Sequence, residues 1–232
     1  MILPKWDNLP EEMQNDAVAG YYKILKKKKA GLVIKRVFDL TVSLAMLVIL
    51  SPALAVLAVL IKLDSKGPVF YRQERVSACN RTFRIFKFRT MVQNADHIGS
   101  LVTVGNDPRI TRVGSKIRKC RLDELPQLIN IVKGEMSFVG TRPEVRKYVE
   151  YYTDEMMATL LLPAGVTSLA SITYKDEDEI MEKHTFQGEN ADDAYVKYVL
   201  PEKMKYNLEY LIDFSFINDI KLMFKTVRAV VR

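Results

Sequence analysis

The longest apolar run of the chain covers residues 37–61, with Ser51 and Pro52 near its middle. About 20 apolar residues suffice for a helix to cross a bilayer core, so length alone predicts a spanning segment. The cations beside the run are Lys23, Lys26, Lys27, Lys28, Lys29, Lys35 and Arg36 before it, and Lys62, Lys66, Arg72, Arg75, Arg81, Arg84, Lys87 and Arg89 after it. Such flanks are typical of the cytoplasmic side of a membrane. Because both ends favour the same side, the pattern predicts a re-entrant hairpin in one leaflet.

Pro52 supports the same interpretation, because proline lacks a backbone N–H and costs roughly 3 kcal/mol inside a helix. A bend relieves this cost. Ser51 is expected to donate its hydroxyl to a carbonyl that the proline frees. The alternative is a proline-kinked helix that crosses the whole bilayer. The favoured hypothesis is a membrane hairpin with its kink at Ser51 and Pro52.

Shorter patterns outside this run predict an α+β fold that is mostly helical, with a short β element. A helix is predicted from Glu11 to about Lys29, acidic at its start and basic at its end. Extended segments are predicted at 69–71 and 82–88, and helices at 110–118 and from Asp123 to near Gly134. The chain thus divides into an N-terminal basic helix (1–34), a re-entrant membrane hairpin (35–62) and one cytoplasmic domain (63–232).

The C-terminal segment has the pattern of a basic amphipathic helix. Its apolar stripe contains Ile217, Ile220, Phe224, Val227 and Val231, and its basic stripe contains Lys221, Lys225, Arg228 and Arg232. Such a helix suits a membrane surface. A helix that packs its apolar stripe on the domain core has the same pattern, so both hypotheses stay open.

The chain is basic, with 35 Lys and Arg against 28 Asp and Glu and a net charge of +7. This balance suits nucleic acid, anionic lipid or a phosphorylated substrate. No nucleic-acid-binding motif occurs, and the cations cluster around the apolar run rather than beside an aromatic platform. We therefore expect a membrane surface and phosphorylated ligands as partners, and no nucleic acid.

Several polar residues receive no function from their spacing. Cys79 and Cys120 match no zinc or redox motif, and no signal-peptide cleavage pattern precedes the apolar run, which indicates reduced thiols facing the cytosol. His97 and His184 have no Cys or His partner at metal-ligand spacing. The acidic run at 176–179 is predicted to be a solvated loop or helix face.

Asp123 and Glu124 are the candidate reactive residues. Adjacent carboxylates often only start a helix, and this structural interpretation stands for the pair in isolation. Here they follow a cationic cluster that includes Arg118 and Arg121. A carboxylate that attacks phosphorus must stay ionised while an anionic phosphate approaches, which demands nearby cations and usually a divalent metal. With Lys87, these arginines are suited to that task.

A second polar turn, Arg142-Pro143-Glu144, follows an apolar stretch. Its arginine fork suits a phosphate or the edge of a uracil ring. By itself this turn is a polar loop.

Ten short motifs together resemble a known family over nearly the whole chain beyond residue 34. They are KRVFD (35–39), SP (51–52), SKGPVF (65–70), QER (73–75), KFRTM (87–91), DPRITRVG (107–114), LDELPQL (122–128), KGEMSFVG (133–140), RPE (142–144) and DIK (219–221). In this order they resemble the monotopic phosphoglycosyl transferases, the bacterial sugar transferases that start lipid-linked glycan assembly.

The resemblance implies transfer of a sugar 1-phosphate from a UDP-sugar to polyprenyl phosphate, usually undecaprenyl phosphate, with UMP released and Mg²⁺ required. Asp123 is implied as the nucleophile that forms a phosphosugar-aspartyl intermediate, and Glu124 as a magnesium ligand or base beside it. Asp123 is also expected to be a magnesium ligand. The cations implied near phosphate are Lys87, Arg89 and Arg118. The turn Arg142, Pro143 and Glu144 takes the place of the family's nucleotide loop.

The resemblance also implies a location and partners. A helix kinked at Ser51 and Pro52 is expected to anchor the catalytic domain to the cytoplasmic face of the bacterial inner membrane. A homodimer and downstream glycosyltransferases of capsule, exopolysaccharide or O-antigen synthesis are further expected partners. The alternative is a noncatalytic membrane-bound scaffold that binds anionic lipid or a partner glycosyltransferase; the intact Asp123 and Glu124 argue against it.

Four features depart from the family pattern. Thr141 stands where proline is usual, Ser77 replaces a usual glycine, and Arg121 takes the place of a small hydroxyl residue. Residues 163–171 only loosely follow the family's Pro-Gly-Ile-Thr-Gly stretch, and this region is expected to affect contacts to the sugar. Arg121 is expected either to aid phosphate binding or to face solvent.

Overall fold

The apolar run forms one long helix, α2, in the computed structural model, which describes residues 2–95, 107–174, 177–186 and 188–231. Helix α2 spans Lys29–Asp64 and contains Pro52. The Ser51 hydroxyl donates to the Val48 carbonyl at 2.8 Å. Because Pro52 has no N–H for this carbonyl, the predicted compensation by Ser51 is confirmed. By length and composition α2 is able to cross a membrane. The structure assigns it as one helix, so the hairpin stays a prediction.

Helices dominate the described chain, as expected for a mostly helical α+β fold. They are α1 (Asp16–Lys27), α2 (Lys29–Asp64), α3 (Arg112–Lys119), α4 (Leu128–Lys133), α5 (Arg146–Val149), α6 (Leu169–Thr173), α7 (Glu177–Phe186), α8 (Ala191–Ala194), α9 (Leu200–Ile212) and α10 (Phe216–Val231). Asn15 caps α1 by accepting from the Val18 N–H, and Thr111 caps α3 by accepting from the Gly114 N–H. These caps explain why both helices begin later than the apolar pattern predicts.

Within the residues that the structure describes, four strands form two small sheets. The antiparallel hairpin of β1 (Phe70–Ser77) and β2 (Arg81–Phe88) confirms the predicted extended segments, although β1 is longer than expected. Strands β3 (Met136–Val139) and β4 (Ala164–Thr167) pair in parallel. The second sheet was not predicted, because its strands are too short to show a period-2 pattern.

The largest hydrophobic cluster joins the N-terminal segment to distant parts of the chain. Leu9, Met13 and Leu25 are buried with Leu161 and Phe214 in this cluster. Removing apolar surface from water stabilises the folded state by roughly 25 cal/mol per Å². The N-terminal segment therefore contributes to the core of the domain.

Both halves of α2 pack on the domain. Met46, Leu47 and Leu50 lie against a buried cluster that contains Phe83 and Ile131. Farther along the helix, Leu54, Leu57 and Ala58 pack against a second cluster built from Ile61, Phe88 and Ile117. The helix is consequently fixed to the domain on either side of Pro52.

Polar contacts fasten the first part of α2 to the same domain. Lys35 Nζ lies 2.6 Å from Asp219 Oδ2, and both side chains are buried. Arg36 donates to the carbonyl of Ile131 at 2.7 Å. The Ser137 hydroxyl donates to Asp39 Oδ2 at 2.7 Å. The KRVFD and DIK motifs thus meet at one structural junction between α2, α10 and β3.

Helix α10 exposes much of the apolar stripe predicted for it. Ile217, Phe224 and Val227 are 67%, 72% and 62% exposed, whereas Asp219 and Leu222 on another face are buried. A helix that packs its apolar stripe on the core would bury these three side chains. The arrangement therefore favours the membrane-surface interpretation of this helix.

Within the acidic run predicted to be solvated, Glu179 is exposed, Glu177 is only partly exposed and is engaged by a lysine, and Asp176 lies outside the described residues. Glu177 begins α7 and accepts a hydrogen bond from the buried Lys203 Nζ at 2.7 Å. A buried ammonium requires a partner, which the sequence pattern alone does not reveal. His184 stacks on the Tyr198 ring with centroids 3.9 Å apart, in keeping with a local role, and His97 lies outside the described residues.

Candidate active site

A cavity of about 600 Å³ lies between the β1–β2 hairpin and the region around α3. Its charged lining consists of Arg72, Arg75, Lys87, Arg89, Arg109, Arg118, Arg142 and Asp123. Among the described lining residues, cations outnumber carboxylates by seven to one. Such an excess of positive charge favours an anionic ligand. The cavity brings together Lys87, Arg118, Asp123 and Arg142, four of the residues singled out from the sequence.

Asp123 reaches the cavity from a 3-10 helix, Leu122–Gln127, that directly follows the left-handed backbone conformation of Arg121. Helix α3 precedes it and comes very close to the end of β2. A Cβ on Gly114 would lie 2.1 Å from the Thr90 carbonyl oxygen, so only glycine allows this approach. The close contact helps place Arg118, near the end of α3, at the same cavity.

Asp123 and Glu124 are adjacent in sequence but have different electrostatic environments. Burial, assisted by Glu124, raises the pKa of Asp123, although Lys87 and Arg118 oppose this shift. Burial also acts to raise the pKa of Glu124, but Lys87, Arg142 and Arg121 outweigh it, and the pKa is lowered. The pKa values of the two carboxylates are therefore shifted in opposite directions.

Lys87 holds Glu124 rather than Asp123. Its Nζ donates to Glu124 Oε1 at 3.1 Å, and Arg121 Nη1 lies 3.9 Å from Glu124 Oε2. The Asp123 carboxylate receives no hydrogen bond from another described side chain and lines the cavity, whereas Glu124 does not line it. Asp123 is consequently the carboxylate that is available to a ligand.

The donor set is compatible with Mg²⁺ of the type that keeps water and substrate phosphate as most of its ligands. Asp123 offers a carboxylate that is not engaged by a cation, with Glu124 directly beside it. Within the described ranges, no group of three or more His, Cys, Asp or Glu residues forms a cage that would bind the metal alone. The carboxylate of Asp123 thus fits a metal that arrives with a phosphorylated substrate, whereas Glu124, the other predicted ligand, is engaged by Lys87 and does not line the cavity.

The turn at Arg142, Pro143 and Glu144 is held by β1. Arg75 Nη1 donates to the Pro143 carbonyl at 3.2 Å, and the Val76 N–H donates to the Glu144 carbonyl at 2.8 Å. Arg142 lines the cavity, whereas Pro143 and Glu144 are buried and do not line it. Of the three residues predicted to bind the nucleotide, only Arg142 therefore has direct access to a cavity ligand.

Arg89 has a more structural position than predicted. Its Nη2 donates to the carbonyls of Ile61 at 3.3 Å and Ser65 at 2.7 Å, where α2 ends. A Cβ on Gly67 would lie 2.4 Å from Arg89 Nη1, so the glycine makes room for this guanidinium. Arg89 lines the cavity, but its hydrogen bonds join the end of α2 to β2.

Sequence reasoning missed Arg75 and Arg109 as cavity residues. Alternation along β1 places Tyr71, Gln73 and Arg75 on one strand face, but Arg72 on the other face also lines the cavity, so this pattern alone does not single out Arg75. Arg109 is held by Asp107, whose Oδ2 accepts from Arg109 Nη2 at 2.6 Å. No periodic pattern reveals such a loop residue.

Two of the departures from the family pattern make buried hydrogen bonds. The Ser77 hydroxyl donates to the Glu135 carbonyl at 2.7 Å and accepts from the Ala164 N–H at 3.0 Å. The Thr141 hydroxyl donates to the Thr159 carbonyl at 3.1 Å. Both side chains therefore tie together the backbone around β3 and β4. Arg121 is mostly exposed and does not line the cavity.

Comparison with known proteins gives a consistent assignment. The family described as "Bacterial sugar transferase" matches residues 30–232. The chain is 37% identical over 200 residues to the UDP-N-acetylgalactosamine-undecaprenyl-phosphate N-acetylgalactosaminephosphotransferase of Aeromonas hydrophila, covering 85% of this chain and 43% of that protein. It is 37% identical over 201 residues to the undecaprenyl-phosphate glucose phosphotransferase of Komagataeibacter xylinus, covering 84% and 35%.

The chain thus spans less than half the length of these two relatives. It spans much more of the exopolysaccharide production protein ExoY of Sinorhizobium fredii, to which it is 32% identical over 215 residues, with 86% of each chain covered. The family match covers nearly all of the chain beyond its N-terminal segment. The chain belongs to the bacterial sugar transferase family.

Proposed function

We propose that the protein transfers a sugar 1-phosphate from a UDP-sugar to undecaprenyl phosphate and releases UMP. The observation that carries this proposal is the accessible carboxylate of Asp123 in a cavity lined by seven cations. Undecaprenyl phosphate is taken from the names of the Aeromonas and Komagataeibacter relatives. The product, an undecaprenyl diphosphosugar, begins a lipid-linked polysaccharide.

The proposed chemistry has two displacements at one phosphorus atom. An Asp123 carboxylate oxygen attacks the β-phosphorus of the UDP-sugar, and the bond from this phosphorus to the bridging oxygen breaks as UMP leaves. A phosphate oxygen of undecaprenyl phosphate then attacks the same phosphorus and releases the Asp123 carboxylate. This sequence allows a soluble donor and a membrane-bound acceptor to react in turn.

In both displacements a negatively charged oxygen attacks a negatively charged phosphate, and nearby cations reduce this repulsion. Lys87, Arg118 and Arg142 contribute positive charge to the cavity, where transferring phosphate oxygens need stabilisation. Lys87 also holds Glu124 in place at 3.1 Å. When bound, Mg²⁺ would neutralise phosphate charge beside Asp123 and Glu124. Both protein carboxylates are positioned without the metal by their own backbone and by Lys87.

We further propose that α2 enters and leaves the membrane on the cytoplasmic face of the bacterial inner membrane. Support comes from both of its ends, which contact the same domain. Asp39 accepts from the Ser137 hydroxyl near the first end. Asp64 accepts from the Val113 N–H at 2.9 Å at the other end. A helix with these two contacts cannot have its ends on opposite sides of a bilayer unless the domain also crosses it.

Cysteine labelling tests this topology. Cys79 and Cys120 are first replaced by serine, and single cysteines are then introduced before Lys35 and after Lys66. Both positions are expected to react with an impermeant maleimide only from the cytoplasmic side. Labelling from opposite sides would show a spanning helix and contradict the hairpin.

The transfer itself is tested with detergent-solubilised protein, Mg²⁺, undecaprenyl phosphate and a panel of UDP-sugars. Repeated release of UMP, beyond one equivalent per enzyme, is the expected result, and only this repeated release should require the acceptor lipid. No UMP with any sugar would favour the noncatalytic scaffold. The homodimer and the downstream glycosyltransferase partners stay predictions.

A further inference from the structure

A buried chain of polar side chains leads away from the cavity through Glu144. The Tyr195 hydroxyl donates to Glu144 Oε1 at 2.7 Å. Lys203 Nζ donates to the Tyr195 hydroxyl at 3.2 Å and to Glu177 Oε1 at 2.7 Å. Glu144, Tyr195 and Lys203 are each at most 6% exposed. Four side chains from three separate segments therefore share one hydrogen-bonded network.

This network is attached to the turn that carries Arg142. Glu144 lies two positions after Arg142, and its backbone carbonyl is fixed by the Val76 N–H. Its carboxylate is fixed independently by Tyr195. The turn is thus held from two sides, by β1 through the backbone and by the π-helical turn Tyr195–Val199 through a side chain.

Arg142 itself has no hydrogen bond to any residue that the structure describes, although it lines the cavity. Burial acts to lower its pKa, but the charges of Glu124, Glu144 and Glu177 outweigh burial and raise it. The guanidinium is therefore kept charged, and its orientation depends on the turn and on surrounding charges. Because Glu144 belongs to the same turn, contacts that hold Glu144 in place also restrict the orientation of the Arg142 side chain.

A purely structural role would not require these residue types. Burying a lysine ammonium and a tyrosine hydroxyl costs free energy that an apolar side chain of similar size avoids. Tyr148 provides the comparison within the same hydrophobic cluster. Its hydroxyl donates at 2.6 Å to Asp192, which is only half-buried and does not belong to the 142–144 turn. The Tyr195 hydroxyl instead donates to the turn.

We propose that Tyr195 and Lys203 are positioning residues that orient Arg142, through Glu144, toward the diphosphate of the nucleotide donor. Neither residue lines the cavity, so each acts indirectly, through Glu144, and does not contact the ligand. The inference rests on the proposed function, because it takes the diphosphate of a UDP-sugar as the ligand of Arg142. It adds a role for the 195–203 segment in donor binding.

The test measures UDP binding by isothermal titration calorimetry on the full chain in detergent, together with the KM for the UDP-sugar. Tyr195→Phe removes one hydroxyl and is expected to weaken UDP binding and raise this KM about tenfold, as for loss of a hydrogen bond to a charged group. The KM for undecaprenyl phosphate stays unchanged. Lys203→Met is expected to act in the same direction. Tyr148→Phe, the matched control, leaves both donor constants at the wild-type value.

A double-mutant cycle separates positioning from general destabilisation. If Tyr195 acts through Arg142, Tyr195→Phe changes UDP binding less than about twofold in an Arg142→Ala background. An undiminished tenfold loss in that background would overturn the proposal. Equal effects of Tyr195→Phe and Tyr148→Phe would also overturn it, since loss of a buried hydroxyl would then explain both.

The two proposals fail in different ways. Wild-type protein that neither binds UDP nor turns over would refute the proposed function, and the positioning role with it. Wild-type protein that turns over, beside a folded Tyr195→Phe with unchanged UDP affinity and KM, would refute the positioning role alone. Should Tyr195→Phe lose its circular dichroism signal, Lys203→Met provides the same comparison.

Discussion

Two charged regions of the molecule differ in how their charges are paired. At the junction of α2 with the domain, Lys35 meets Asp219 at 2.6 Å and Asp39 accepts from Ser137. In the cavity, seven cations accompany one lining carboxylate. Buried charges are stable only when paired, and Lys35 and Asp219 pair with each other within the first region. The second region keeps an excess of cations even though Lys87 pairs with Glu124 and Arg109 with Asp107, and a bound anion would offset this excess.

The same contrast appears on a smaller scale within the carboxylate pair. Glu124 accepts from Lys87 and its pKa is lowered, whereas burial raises the pKa of the unengaged Asp123. Glu124 is therefore held by an ion pair with Lys87, whereas Asp123 is available to react with a ligand. Opposite pKa shifts of neighbouring groups are a recognised mark of different chemical roles.

The largest effect is expected from Asp123→Asn, which removes the oxygen anion proposed as the nucleophile. Turnover should fall by about 10⁶-fold, as when a nucleophile is lost. UMP release in the presence of donor and acceptor is the measurement. Asp192→Asn provides a matched control, because Asp192 is a carboxylate already engaged by Lys147 and does not line the cavity. Turnover by Asp123→Asn close to the wild-type rate would rule out the nucleophile.

Lys35→Met is expected to destabilise the protein by about 3–5 kcal/mol, because it leaves Asp219 buried without its cation. Burial already raises the pKa of Asp219, and loss of Lys35 removes the strongest opposing influence. The free energy of unfolding is measured by denaturant titration in detergent. Lys205→Met, at an exposed pair with Glu202, should cost at most about 1 kcal/mol. Equal losses for the two variants would contradict the contrast between buried and exposed pairs.

Lys87→Met is expected to lower kcat/KM by about 10²-fold, since it removes a cation beside the reacting phosphate. It should also move the acid limb of the pH profile upward. Lys87 is the strongest influence lowering the raised pKa of Asp123, so without it Asp123 protonates at higher pH and becomes inactive earlier as pH falls. The pH dependence of kcat/KM is the measurement.

Lys133→Met provides the comparison for Lys87→Met, because Lys133 pairs with Glu135 at the surface. Its profile should match the wild type. An acid limb that stays in place in Lys87→Met would show that Lys87 does not control the ionisation of Asp123.

The smallest effects are expected on helix α10. Phe224→Ser removes an exposed aromatic ring and should weaken binding to anionic vesicles by a few fold, with turnover in detergent unchanged. Arg228→Ala should act similarly through lost attraction to anionic lipid, by about 1 kcal/mol. Vesicle sedimentation measures both. Unchanged sedimentation of a Phe224→Ser, Arg228→Ala double variant would show that α10 does not contact the membrane.

Local sequence signals predicted the parts of the fold that follow a periodic pattern. The apolar run became α2, the segment 82–88 became β2, and the Ser51 hydroxyl bonds the carbonyl that Pro52 leaves unpaired. The parallel pair of β3 and β4 was missed, because contacts between distant short segments leave no local period.

The candidate site was predicted in part. Asp123, Lys87, Arg118 and Arg142 do meet at one cavity. The sequence could not show that Arg89 turns toward the end of α2, because the direction of a long side chain is decided by tertiary contacts. The pairing of Glu177 with Lys203 was hidden for the same reason.

Intact-protein mass spectrometry of the enzyme, incubated with a UDP-sugar in the absence of acceptor lipid and then quenched, tests the central claim most directly. The account predicts a mass increase equal to one sugar phosphate, located on Asp123 by peptide mapping and lost when undecaprenyl phosphate is added. A fully active preparation that never shows this adduct, or that shows it on another residue, would contradict the account.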